Sequence, residues 1–171
     1  MTIYALIWPQ DSECGSARSP EGWWPPELDE QEIRAHWSTP TFMLKGRFAD
    51  LQPNDAGVKL VSSRMRELIS QHKAPIDRIE WLPVRIEGNG EIREYAIPHL
   101  FDVLDVVDRS RSILNPSSGA VVKPYLRLSA IDGHRVFTYS NSTGLIILFR
   151  DTVYDALRLC TGCVFSKVRA S

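Results

Sequence analysis

The nearest approach to a reactive motif in this chain is Cys160-Thr161-Gly162-Cys163, a spacing used by dithiol redox centres and by half of a zinc site. A thioredoxin-like centre needs its first cysteine exposed at a helix start, where the helix dipole and exposed amides favour the thiolate. Here the surrounding pattern puts Cys160 at a helix end and Cys163 at the opening of a strand. A zinc site wants four ligands. The only other cysteine is Cys14, and His36, His72, His99 and His134 are dispersed. The pair therefore reads as packing thiols without metal. Gly88-Asn89-Gly90-Glu91-Ile92-Arg93 begins like a dinucleotide fingerprint, but it lacks the third glycine and leads into a strand, so it reads as a turn. Asp102, Asp105 and Asp108 recur every three residues and read as a polar face that also accepts hydrogen bonds from turn amides. No HExxH, GxSxG or Walker-type motif is present. No catalytic residue, metal or cofactor is assigned.

The segment Glu21–Glu32 suits binding better than catalysis. It sets Trp23 and Trp24 beside five carboxylates, among them Glu27, Asp29, Glu30 and Glu32. Aromatic anchors with concentrated charge are what protein–protein hot spots and steered association use. The competing reading is that the rings cover the edge of the core and the acids open a helix, where the dipole favours them. The loops Asn115–Gly119 and Ser140–Gly144 are the next candidates for a contact.

The elements that must position these residues follow from patterning. A first strand is expected at Thr2–Trp8, then an irregular, Trp- and Pro-rich stretch with one short helix near Glu27–Trp37, between Pro25-Pro26 and Pro40. Val58, Val61, Met65, Leu68 and Ile69 recur at helical steps and predict an amphipathic helix ending before Pro75. Arg78–Glu87 and Glu91–Ile97 flank Gly88-Asn89-Gly90 as a hairpin, with Pro83 marking a bulge or an edge strand. Leu100–Val107 fits strand or helix equally. Tyr125–Ile131 and His134–Ser140 around Asp132-Gly133 predict a second hairpin. Leu145–Phe149 reads as a strand buried on both faces. A helix over Asp151–Cys160 is expected next, with Thr152 as N-cap and Gly162 as its C′ residue, and Cys163–Val168 closes the chain as a last strand. Strand, ten-residue helix and strand make a short crossover, which allows the two flanking strands to lie parallel. The fold class is α+β: a mixed, mostly antiparallel sheet with a few flanking helices. Its expected core includes Leu126, Leu128, Phe137, Leu145, Ile147, Leu157 and Phe165.

Composition excludes several classes. With 171 residues, 43% hydrophobic and 24% charged, the chain is an ordinary globular one. At this length about 70% of the unfolded surface can be buried, so folding needs no disulfides. It reads as a single domain, 1–171, in which an acidic region over 1–57 packs on an α+β part over 58–171. The first region carries nine acids against four bases, the second 12 acids against 16 bases. A formal net charge of −1 argues against a general nucleic-acid binder. No run approaches the ~20 apolar residues of a membrane helix. No basic residue precedes the short apolar N-terminus, and three cysteines suit a reducing compartment. A cytoplasmic location is expected.

From Ile79 to Val168 the order of features resembles the bacterial polymorphic-toxin immunity proteins of immunity family eleven. The likeness lies in Trp81-Leu-Pro-Val-Arg-Ile86, Val103-Leu-Asp-Val-Val-Asp108-Arg-Ser-Arg-Ser112 and Arg135-Val-Phe137. It continues through Ile146-Ile-Leu148, Val153-Tyr-Asp-Ala-Leu157 and Thr161-Gly162-Cys-Val-Phe165. Phe149-Arg150-Asp151 stands where the family has a Ser-Asp step. The resemblance covers about half the chain. It implies an antitoxin, not an enzyme, that binds and neutralises a cognate toxin protein in the cytoplasm as a 1:1 or oligomeric complex, a homo-oligomer being compatible. A small-molecule or metal-binding module using the cysteine pair, and an enzyme with an unfamiliar active site, are the alternatives.

Overall fold

The computed structural model describes residues 2–7, 14–25, 33–141 and 144–171. Strands dominate. In chain order they are β1 (Ile3–Ile7), β2 (Ser16–Arg18), β3 (Thr41–Lys45), β4 (Leu51–Gln52) and β5 (Leu60–Ser62). Helix α1 (Ser63–His72) precedes β6 (Ile79–Gly88), β7 (Glu91–Leu100), β8 (Ile113–Leu114), β9 (Val121–Lys123) and β10 (Tyr125–Leu126). β11 (Val136–Asn141), β12 (Gly144–Arg150), α2 (Asp151–Leu157) and β13 (Val164–Ala170) complete the chain. The class is α+β, with mixed and antiparallel curled sheets.

One sheet runs β2-β3-β6-β7-β5-β4. Its ends meet: Ala17 bridges Asn54, the Ala17 amide donates to the Pro53 carbonyl at 2.8 Å, and Asp55 donates to Ala17 at 3.2 Å. The sheet thus closes around Phe42, Leu44, Leu60, Leu82, Val84, Ile86, Tyr95 and Ile97, a small barrel filled by its own side chains. The β6–β7 hairpin turns at Asn89 (φ 53°) and Gly90 (φ 77°), the pair of left-handed residues that a two-residue turn demands. Pro83 marks no bulge, but its half of β6 is a local edge, because β3 pairs only with the later half of that strand. It pairs with Ala96 in unbroken register. The Arg85 amide donates to Pro40, so the odd amides of β6 point toward β3, and β3 pairs only from Arg85 onward. The missing N–H of Pro83 therefore falls where no strand stands opposite.

The second sheet runs β10-β13-β1-β12-β11. β1 is antiparallel to both β12 and β13, which makes those two parallel to each other with α2 as the crossover, as the short connection allows. Leu6, Leu51, Val61, Met65, Ala96, Phe149, Val153 and Leu157 form one cluster that draws on both sheets and both helices. A third cluster covers the other face of this sheet, with Ile3, Val106, Leu126, Ile131, Phe137 and Leu148. Of the expected core, Leu126, Phe137, Ile147 and Leu157 are buried. Leu128 and Phe165 are half-buried against the clusters, and the Leu145 side chain lies outside the described ones.

Several local expectations are corrected. Val58 and Val61 share the step of the helix but not the helix: Val61 pairs with Leu51 and Ala96 in β5, and α1 starts at Ser63, capped by the Ser62 hydroxyl accepting from the Met65 amide. Asp132-Gly133 is a turn (Gly133 φ 79°) but not a hairpin, because residues 128–131 form a 3-10 turn and β11 pairs with β12 instead. Thr152 is not the N-cap of α2; Arg150 holds that place, and Asp151 Oδ1 accepts from the Thr152 amide. The helix ends at Leu157, so Gly162 serves a later turn. There φ is 71°, and a Cβ would lie 2.3 Å from the Leu51 carbonyl oxygen, which leaves room only for glycine. Leu100–Val107 is irregular after β7, tied to β11 and β10 by bridges at Val103 and Val107. Near Glu27–Trp37 the structure describes a 3-10 turn, Ile33–His36. Strands β2, β3 and β4 stand in the region where the sequence shows only β1.

Candidate functional site

Because β3 covers only the last part of β6, the barrel has a gap beside the first half of that strand. The 3-10 turn and the tryptophans fill it. Ile33 is buried, and Trp37 reaches across, its Nε1 donating to the Pro83 carbonyl at 2.8 Å. Trp23 stands edge-on to Phe42 (5.2 Å between centroids) and to Trp37 (6.4 Å, perpendicular), so its ring is clamped on the barrel interior. Trp24, the next residue, is 85% exposed. The pair thus divides its labour: Trp23 serves the core, and Trp24 presents an indole to solvent. Glu21 is exposed on the preceding turn. Glu27, Asp29, Glu30 and Glu32 lie outside the described residues.

Beside this gap sits a polar group that sequence inspection did not bring together. His99, 1% exposed, places Nδ1 3.3 Å from Glu80 Oε2, and Arg34 Nη1 lies 3.5 Å from the other Glu80 oxygen. Glu80 and His99 are cross-strand partners, and Arg34 ties the 3-10 turn to them. Two further buried carboxylates act as junctions. Asp50 accepts from the Ser62 hydroxyl (2.8 Å), Arg64 (3.1 Å) and both the amide and hydroxyl of Thr161 (2.9 and 3.1 Å), locking the α2–β13 turn to the barrel edge. Asp77 accepts from the amides of Ala74 (2.7 Å), Arg135 (3.2 Å) and Val136 (2.9 Å), and from His134 Nδ1 (2.9 Å). The only sequence signal for either was Thr161-Gly162, already part of the family-like pattern.

The three periodic aspartates behave as polar-face residues. Asp108 Oδ1 accepts from the Ser110 amide and hydroxyl and from the Arg111 amide, which holds its carboxyl below the usual range. Ser112 adds a hydroxyl bond to the Asp108 carbonyl and accepts from Tyr125. Asp102 pairs two-pronged with Arg78, and Asp105 lies 2.9 Å from Arg127.

The thiols are poor nucleophiles. Burial is the main force pushing Cys160 up to about 11 and Cys163 up to about 12, so both are protonated at neutral pH. Cys163 Sγ rests 3.8 Å from Met65 Sδ. Among the described residues no group of three His, Cys, Asp or Glu is placed to hold a metal. Burial also raises Tyr95 to about 12 and lowers Lys59 to about 8. The consequence for alkaline stability has a definite sign. Between pH 9 and 12 the fold retains thiol and phenol protons that the unfolded chain releases, so stability present below pH 9 is lost as pH rises. Lys59 opposes this between about 8 and 10.5, where the unfolded chain holds the extra proton, but it is one group against three. Thermal melts followed by circular dichroism should show Tm falling continuously from pH 9.5 to 11, and Cys163→Ala should flatten that limb.

No helix of the described residues is long and apolar enough to cross a membrane. No protein-family model matches the chain, and no curated protein does.

Proposed function

We propose that this chain is an immunity protein that binds a cognate toxin in the cytoplasm and neutralises it by direct contact, without catalysis. The observation that carries the reading is Trp24: a large apolar ring held in solvent at 85% exposure, on a segment anchored by Trp23. It sits next to the densest acidic run of the sequence, Glu27, Asp29, Glu30 and Glu32. An exposed indole gains nothing for the fold and is the residue type most enriched in interface hot spots. The irregular, Trp- and Pro-rich stretch carrying it lies outside the part that resembles immunity family eleven, which suits an element that must discriminate one toxin from its relatives. A 1:1 complex and a homo-oligomeric one both fit this reading.

The reading expects a large toxin-bearing reading frame directly upstream of this one, and the test is co-expression with its product. The intact chain should rescue growth. A basic toxin face would be steered by the acidic run, so reversing Glu27, Asp29 and Glu30 to lysine should slow association about tenfold or more at low salt and flatten its salt dependence. Stopped-flow or biosensor kinetics at several ionic strengths read both effects. Unchanged association kinetics in a folded triple variant would remove the acidic run from the contact.

A further inference from the structure

The β6–β7 hairpin is covered unequally on its two sides. β3 pairs with β6 as far as Glu87, close to the turn. On the other side, β5 pairs with β7 at Ala96 and Tyr95 and then leaves the sheet, because α1 starts at Ser63. Among the described residues no strand takes up that side of β7 from Glu91 to Glu94. All four residues are exposed, Ile92 to 62%. The turn fixes what this bare edge presents. Gly88 and Glu91 close a two-residue turn and exchange hydrogen bonds with each other, so alternation turns the backbone groups of Arg93 toward β6 as well. Those of Ile92 and Glu94 point the other way, into the lane that β5 vacates. The Ser63 hydroxyl, at the end of β5, accordingly donates to the Glu94 carbonyl at 3.5 Å. Beside Ile92, Arg93 and Glu91 already pair at 2.5 Å, both half-exposed, and the guanidinium lies 4.1 Å from the centre of the Phe48 ring.

We infer that the bare edge of β7, Glu91–Glu94, is a homodimer surface, on which a second copy of this chain lays its own β7 antiparallel, centred on Ile92. Charge complementarity selects this occupant and this register. Antiparallel pairing sets outward-pointing residues opposite outward-pointing residues, so a two-fold axis can pass through Ile92, Arg93 or Glu94. An axis through Arg93 brings two arginines face to face, and one through Glu94 brings two glutamates together; like charges directly opposite are destabilising. An axis through Ile92 sets isoleucine on isoleucine, with two reciprocal backbone hydrogen bonds. It also sets Glu91 opposite Arg93 of the second copy, twice, at the closely spaced positions where side chains meet. Charged side chains on a strand edge deter indiscriminate pairing; here they leave one register open. The contact is isologous, so assembly stops at two chains. Nothing in this pairing requires the toxin.

Sedimentation velocity over a concentration series of the full chain reads the assembly. The wild-type chain should pass from monomer to dimer and stop there. Glu91→Arg and Arg93→Glu each place like charges opposite one another, so each variant alone should weaken the dimer about tenfold or more. Their equimolar mixture should restore it as a heterodimer, because every contact between positions 91 and 93 then joins opposite signs. Ile92→Pro removes the outward N–H at the centre of the contact and none of the bonds to β6, and it should leave a monomer. Thermal melts run alongside check that each variant is folded, and the two charge variants decide the matter if the proline variant is not. A wild-type chain that stays monomeric at every concentration would overturn the inference. So would a dimer that both charge variants retain, or a mixture of them that stays monomeric. Protection of the Ile92 and Glu94 amides from exchange that appears only when toxin is added would give the edge to the toxin and overturn it as well.

Discussion

Trp24→Ala should weaken toxin binding by on the order of 2–4 kcal/mol while leaving thermal stability untouched. The asymmetry of the tryptophan pair makes this the informative substitution. Trp24 is almost fully exposed, so its removal costs the fold little, and any loss of affinity reports on the contact itself. Trp23→Ala would confound the two, because its ring fills the space over Phe42 and against Trp37. Removing it should lower Tm as a truncated core aromatic does, by about 3 kcal/mol or more of stability. Calorimetric titration of each single variant, with melts run alongside, separates anchor from scaffold. Full affinity in Trp24→Ala would move the contact away from this segment.

Asp77→Ala carries the largest expected effect on stability, about 3–5 kcal/mol. Its carboxylate is fully buried and accepts from three backbone amides and from His134. Alanine leaves four donors without a partner in a place water does not reach. Those donors come from the turn after α1 and from the entry to β11, so the loss should loosen the joint between the two sheets first. Urea unfolding of the variant should show the midpoint dropping sharply. Asp77→Asn should recover only part of it, since an amide nitrogen then faces one of the N–H groups.

Local rules read part of this fold and missed the rest for physical reasons. The β6–β7 hairpin was legible because Asn89-Gly90 specifies its own turn and both strands pair with their sequence neighbour. Asp132-Gly133 carries the same kind of signal, and the chain does turn there. The pairing is lost because Asp77, 57 residues away, anchors His134, and because β12 offers β11 a longer apolar partner. Helical spacing ran on through Val58 and Val61 because a buried strand leading into a helix repeats apolar residues at similar intervals. Only the Ser62 cap marks the change. β3 was hidden by its neighbours: Phe42 and Leu44 alternate with exposed Met43 at the strand period, but the prolines and tryptophans around them drew the reading toward irregular structure.

The candidate site shows the same limit in its geometry. The adjacent Trp-Trp pair is plain in the sequence, but which ring is buried depends on a gap between β3 and β6 that only the closed barrel creates. The Glu80–His99–Arg34 group, and the Asp50 and Asp77 junctions, join residues far apart in sequence. No spacing rule reaches such pairs.

The central claim, neutralisation by direct binding, is tested most directly by titrating the purified chain into the active domain of the toxin that co-expression rescue identifies, while toxin activity and heat of binding are followed together. The account predicts that activity falls to zero at a fixed stoichiometry that matches the calorimetric end point, with Trp24→Ala shifting the affinity but not the end point. Full toxin activity in the presence of excess chain, with no heat of binding, would contradict it.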